Sequence, residues 1–257
     1  MKKKLLFIIL FIVLSGGLYF ADKYAYAGEK KYYPLAETRQ DKLRIGIIGD
    51  SWLVREKLDS LVERKLSEKG ISAKVFSSGN PGATSKVIYE NLFKEENEDF
   101  SSRKVIESHP EYCIVVAGVN DAAKHLGPAY YAHHMELIIN TLLHYNIRPV
   151  VVSLPGFGVE EDFQAKNIFS RLSNSGAELI LNNGAAFTVK EYRNALTNSL
   201  RKLHKENRIT VLDFDRAGLD YNGNKKLYAD PLHLNKKGYQ KFSEFLASGI
   251  INLEQRK

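Results

Sequence analysis

The sequence predicts a single α/β domain of three layers, a five-stranded parallel sheet with helices on both faces. Short β-branched runs alternate along the chain with segments of helical period. Those runs are apolar almost throughout, as strands covered on both faces are. Size and composition agree. At 257 residues, 44% hydrophobic and 26% charged, the chain suits one large domain and excludes a disordered or low-complexity polymer.

Leu43 to Ile48 is the first strand. A helix is predicted from Leu53 to Lys69, with Leu58, Leu61, Val62 and Leu66 on one face and Gly70 as its stop. Ala73 to Phe76 is the second strand and Thr84 to Phe93 the second helix. Tyr112 to Ala117 is the third strand, where Cys113 reads as a small buried hydrophobe. A single cysteine excludes an intrachain disulfide and a cysteine-based metal cluster. Ala129 to Tyr145 is helical and Arg148 to Leu154 is the fourth strand. Lys190 to Glu206 is helical, Ile209 to Phe214 is the fifth strand, and Asn235 to Ile251 is the last helix. Pro155 to Thr188, weakly periodic and glycine-containing, reads as a loop-rich elaboration over one end of the sheet.

Residues 1–27 read as an export signal. Lys2, Lys3 and Lys4 precede an apolar run, and Ala25-Tyr26-Ala27 is a small-x-small cleavage sequence. Without cleavage, Leu5 to Ala21 is 17 residues, the lower limit of a membrane span, and forms an anchor. Both readings export the rest of the chain: periplasmic, extracellular, or anchored to the outer face of the cytoplasmic membrane. Residues 28–42, charged and tyrosine-rich, read as a linker, and residues 43–257 as the domain. The net charge of +7 falls to +4 beyond residue 27, 33 basic against 29 acidic residues. These charges alternate in sign, as in Arg55-Glu56-Lys57, which describes a solvated face and not a nucleic-acid footprint. Membrane contact is expected only through the N-terminal segment, if it is uncleaved.

In parallel sheets, chemistry gathers beyond the carboxyl ends of the strands. Gly49-Asp50-Ser51 falls there, between the first strand and the first helix. Ser51 then sits where helical N–H groups favour a developing anion, although Asp50 or Ser51 could equally cap the helix. Ser78-Gly79-Asn80-Pro81-Gly82-Ala83-Thr84 follows the second strand, Gly118-Val119-Asn120-Asp121 the third, and Asp230-Pro231-Leu232-His233 the fifth.

In this order and placement, the four blocks resemble those of the SGNH hydrolases, also called GDSL esterases, over most of residues 43 to 247. The resemblance implies a flavodoxin-like α/β/α fold and a serine nucleophile. Ser51 is then the nucleophile and His233 its base. Asp230, three residues before His233, accepts the other ring N–H and fixes the tautomer. By similarity the oxyanion donors are the backbone N–H groups of Ser51 and Gly82 and the side-chain amide of Asn120. Gly82 is preferred to Gly79 because the family pattern places the glycine two residues before a Thr or Ser, here Thr84. Trp52 departs from the family, which often carries another Ser or Thr near the nucleophile. It either stacks on a sugar or lines an acyl pocket, with Asp50 beside it, or it packs at the helix start on the core.

Other residues keep plainer readings. His133-His134 with Glu136 lacks metal-ligand spacing, so no metal is expected, and no cofactor. Lys124 and His125 read as a solvated loop, and Asp213 and Asp215 as turn residues. The sequence suggests no role for His109, His144 and His204. The function expected is an exported serine esterase that removes an acyl group, most plausibly acetyl, from a cell-envelope or extracellular carbohydrate. An O-acyltransferase, a lipid or thioester hydrolase and a catalytically silent glycan-binding domain are the alternatives.

Overall fold

The computed structural model describes residues 17, 22–36, 42–205 and 207–257. Residues 1–16 and 18–21, which hold most of the expected export signal, residues 37–41 of the expected linker and Glu206 lie outside the described residues. Five strands form one sheet in the order β2-β1-β3-β4-β5: β1 (Leu43–Gly49), β2 (Ala73–Gly79), β3 (Tyr112–Val116), β4 (Arg148–Val152) and β5 (Thr210–Leu212). Every pairing is parallel. That is the flavodoxin-like order, in which the chain reverses direction between β1 and β3 and leaves a crevice at their carboxyl ends. Ile45, Ile47, Ile114, Val115, Val150 and Val151 are fully buried, because helices cover both faces of the sheet.

The main helices are α1 (Ser51–Val54), α2 (Leu58–Ser67), α3 (Ser85–Asn91), α4 (Arg103–Glu107), α5 (Val119–Ala123), α6 (Pro128–His144), α7 (Val159–Ala165), α8 (Ile168–Asn182), α9 (Val189–Lys202) and α10 (Lys236–Glu254), with a single turn at Tyr221–Asn224 before α10. On one side α2 packs on α10, and on the other α6 lies against α3 and α9. Asn235 caps α10 by accepting the N–H groups of Lys237 and Gly238, and Thr188 with Glu191 closes a capping box on α9.

Two expectations are corrected. The helix predicted over Leu53 to Lys69 is two helices, broken where Glu56 and Lys57 take left-handed φ of 53° and 52°. Leu53 stands five residues before Leu58, so no single helix buries both on one stripe, and the break reorients the chain between them. Pro155 to Thr188 is largely helical, because it contains α7 and the 15-residue α8. The serines, asparagine and glycine at 173–176 dilute the α8 period.

The described part of the linker is fastened down. Lys30 N–H donates to the Tyr89 hydroxyl, Tyr33 N–H to the Tyr145 hydroxyl, and the Tyr33 hydroxyl to Leu92 O. These aromatic hydroxyls, supplied by α3 and the end of α6, satisfy a backbone that belongs to no helix or sheet.

Candidate active site

All four sequence blocks arrive at the carboxyl edge of the sheet. β1 ends at Gly49, and a Cβ there would come within 2.2 Å of Val116 O, so only glycine lets β1 run this close to β3. Asp50 Oδ1 then accepts the Trp52 N–H at 3.0 Å and caps α1, which leaves Ser51 at the helix start with its side chain free of capping duty.

The Asp230–His233 segment is a tight loop closed by the antiparallel bridge between Tyr228 and Leu234. Ser51 Oγ lies 2.9 Å from His233 Nε2, and His233 Nδ1 lies 2.9 and 3.0 Å from the two Asp230 oxygens. An ionised Asp230 accepts the hydrogen bond from Nδ1–H and leaves Nε2 as an acceptor facing the serine hydroxyl. Desolvation acts against the Asp230 charge, but the N–H of Leu232 and the His233 ring and amide outweigh it and hold the carboxyl below its usual range. Arg55 adds a distant ion pair at 3.8 Å between two half-exposed side chains, which contributes little.

Gly82 stands exposed in the turn after β2 at φ +77°, in open space, while Gly79 is paired within β2 opposite Gly49. Ala83 N–H closes that turn onto Asn80 O. Among the described residues neither the Ser51 nor the Gly82 amide N–H meets a backbone acceptor, so both can serve a ligand. Asn120, on α5 directly after β3, is half-buried, and its Nδ2 donates one hydrogen to Asp50 Oδ2 at 3.1 Å. The other amide hydrogen meets no acceptor among the described residues. The carboxyl edge therefore carries a serine hydroxyl bonded to an oriented imidazole, and the turn after β2 and the start of α5, which follow neighbouring strands, supply N–H donors of the kind that acyl transfer through a tetrahedral oxyanion needs.

Trp52 and Asp50 do not line this edge; both are fully buried. Of the two readings of Trp52 the structure gives the core: its ring meets Phe214 and Phe242 edge-on at 5.8 and 5.4 Å. Its Nε1–H also donates to Leu232 O at 3.0 Å, between Asp230 and His233. Trp52→Ala is expected to cost about 3–5 kcal/mol of stability. Trp52→Phe keeps most of the packing but loses the bond to the catalytic loop. Its activity should fall by a larger factor than its urea midpoint suggests, a comparison made by measuring both on one preparation.

Sequence reasoning missed the ties behind these groups. Asp121, fully buried, accepts the Ser85 N–H at 2.8 Å and its hydroxyl at 2.5 Å, so one carboxyl joins the start of α3 to α5. Gly82 and Asn120 flank that junction in sequence. Lys124 is no solvated loop residue: it is partly buried, and its Nζ donates to Gly82 O at 2.6 Å. Burial pulls its ammonium below the usual range. His125 pairs with Glu178 of α8 at 2.5 Å. His133 and His134 grip the main chain of Ala27, and His144 stacks on Tyr32. Asp213 accepts the Asp215 N–H in a turn, and the Cys113 thiol, fully buried, is pushed well above its usual range.

Burial also pushes the Asp50 carboxyl up to about 7, against the bonds from Trp52 and Asn120 that favour its charge. The folded chain then keeps a proton that the unfolded chain releases near pH 4. The stability this contributes is complete below that pH and is lost as pH rises toward about 7. Asp121, pushed up to about 6 by burial, acts with the same sign. The urea midpoint should decline from pH 5 to pH 7.5, and less steeply in Asp50→Asn; equal slopes would remove Asp50 as the cause.

Comparison with known proteins agrees with this geometry. The sequence model of the GDSL-like lipase/acylhydrolase family matches residues 47–241. A lipase/acylhydrolase from Enterococcus faecalis superposes with a TM-score of 0.59 at 18% identity, over 82% of this chain and 96% of its own. The psychrotrophic esterase EstA from Pseudoalteromonas sp. gives 0.57 at 14%, over 82% and 98%. An acetyl xylan esterase, AlAXEase, gives 0.53 at 19%, over 82% and 99%. No functionally curated protein matches. The structural likenesses establish the fold, and the family match spans the segment that carries all four blocks, so the chain belongs to the GDSL-like lipase/acylhydrolase family.

Proposed function

We propose that this SGNH-type hydrolase is an exported serine esterase that removes a short acyl group, acetyl above all, from a cell-envelope or extracellular carbohydrate. The observation that carries the reaction is the relay from Ser51 Oγ through His233 to Asp230, with both links at 2.9 Å. Ser51 Oγ attacks the ester carbonyl carbon as its proton passes to His233 Nε2. The carbonyl oxygen becomes an oxyanion held by the N–H groups of Ser51 and Gly82 and by Asn120 Nδ2, each worth roughly 3 kcal/mol in the transition state. His233 returns its proton to the departing alkoxide, leaving an acyl-Ser51. A water activated by the same imidazole then releases the acid. Asp230 holds the Nδ1 proton and stabilises the imidazolium throughout.

Export is supported by the basic, apolar and Ala25-Tyr26-Ala27 order of the first 27 residues. The acetyl-carbohydrate reading is supported by export together with the acetyl xylan esterase among the structural neighbours. The test follows p-nitrophenyl esters from acetate to long chains with the full chain and its Ser51→Ala form, then acetate release from acetylated glycans. Acetate turnover that vanishes in the variant and extends to glycans supports the proposal. A preference for long chains moves the substrate to lipids.

A further inference from the structure

Helix α8 is built inside out. Beside the buried Ala177, its inward side carries satisfied polar groups: Asn174 Nδ2 donates to Ala123 O at 2.8 Å, and Glu178 pairs with His125. Its outward side carries Ile168, Phe169, Leu172, Leu179 and Ile180, each 58–80% exposed, with the helical spacing of a single stripe. Among the described residues, five of the nine exposed large apolar side chains lie on this one helix. The residues between them on that side, Ser175 and Gly176, are uncharged and small. A stripe of this kind on a soluble surface marks a contact with something apolar.

The chain itself indicates what covers the stripe. The segment from Asp22 onward runs against this same helix. Lys23 Nζ donates to Ser173 Oγ at 2.9 Å and the Tyr24 hydroxyl to Ser173 O at 3.1 Å. Tyr24 is buried in a small cluster with Leu126, Tyr130 and Ala177 of α8. Farther along, the Ala27 N–H donates to His134 Nε2 at 3.0 Å while His133 Nε2 donates to Ala27 O at 2.8 Å. His134 Nδ1 is committed to Tyr130 O, and burial keeps the ring neutral, pulling it down to about 4. The segment 22–27 is therefore an integral part of the fold. In the sequence the 17-residue, largely apolar run Leu5 to Ala21, preceded by three lysines, leads directly into this segment, which is fastened to α8. Between this segment and α8 lies a cavity of about 560 Å³ lined by Lys23, Lys86, Lys124 and Lys166 against the carboxylates of Asp22 and Glu90. A basic margin beside an apolar face suits anionic lipid headgroups.

We propose that the outer face of α8 rests in the surface of the lipid bilayer that holds the uncleaved N-terminal segment, so that the domain is seated on the membrane at two adjacent points. The seat orients the reacting edge, because α8 is bonded to Ala123 and His125 just beyond Asn120 on α5. This inference is independent of the ester chemistry.

The test uses the full chain reconstituted in vesicles of phosphatidylethanolamine and phosphatidylglycerol, with and without brominated acyl chains. A fluorophore is attached at Leu172→Cys or, as a control at an exposed position of α10, at Lys241→Cys; Cys113 is buried and stays unlabelled. Thermal unfolding like that of the unaltered chain confirms that each labelled protein is folded. The label at 172 should lose most of its emission to the bromines while the label at 241 keeps its own. Equal emission at 172 in both kinds of vesicle overturns the proposal, and so does equal quenching at 172 and 241. A label at 172 unquenched in a chain that runs as a dimer also overturns it and assigns the stripe to a second copy. Mass measurement of the chain from native membranes adds a second arm: an N-terminus at Gly28 overturns the uncleaved seat.

Discussion

Ser51→Ala should lower kcat by roughly 10^4-fold or more, with the fold intact and KM little changed. His233→Ala should do the same, and the double variant should be no worse than either. The reason is mechanical. Ser51 Oγ gains nucleophilicity only by handing its proton to Nε2 at 2.9 Å, and Nε2 has nothing to activate once the hydroxyl is gone. Asp230→Asn should cost a comparable factor, although its side chain is 43% exposed. The amide cannot both accept the Nδ1–H and keep the loop's own N–H bonds from Leu232 and His233 as the carboxylate does. Steady-state kinetics on p-nitrophenyl acetate measures all four variants. Losses that multiply in the double variant would mean that serine and histidine act on separate steps, and the relay assignment would fail.

Much of this site is legible in the sequence alone, for a physical reason. Each reacting group lies within a few residues of a strand end or in a tight loop, and Asp230 reaches His233 across a three-residue turn. Local sequence therefore contains most of the geometry. The parallel sheet is legible because β3 and the stretch of β1 from Ile45 onward are apolar without alternation: Ile45, Ile47 and Ile48 in one, Cys113, Ile114, Val115 and Val116 in the other, all fully buried. What the sequence hides depends on partners distant along the chain. Trp52 reads as a pocket wall or as core until Phe214, Phe242 and Leu232 are brought around it. Lys124 reads as solvated until Gly82 O is placed against its ammonium. Helix α8 is hidden because its large apolar residues face outward while Asn174 and Glu178 bond inward beside Ala177, against the pattern by which surface helices are recognised.

Asn120→Ala should lower kcat by roughly 10^2- to 10^3-fold, the cost of one oxyanion donor, while KM changes little. The substitution does more than remove a donor, because Asn120 Nδ2 also bonds the buried Asp50 Oδ2. Without that bond the Asp50 carboxyl loses a partner that favours its charge, so its pKa should rise further and stability near neutral pH should fall. Asp50→Asn separates the two effects. Its new amide faces Asn120 as a donor, so the Asn120 side chain must turn its oxygen toward position 50 and its NH2 group away from its present direction. The donor is kept in number but misdirected, and kcat should fall although Ser51, His233 and Asp230 are untouched. The decisive comparison is the double variant. If Asp50 acts only by aiming Asn120, then Asp50→Asn adds no further loss of kcat once Asn120 is alanine. Full additivity would show that Asp50 serves catalysis by another route, with the capped start of α1 that carries Ser51 as the remaining connection.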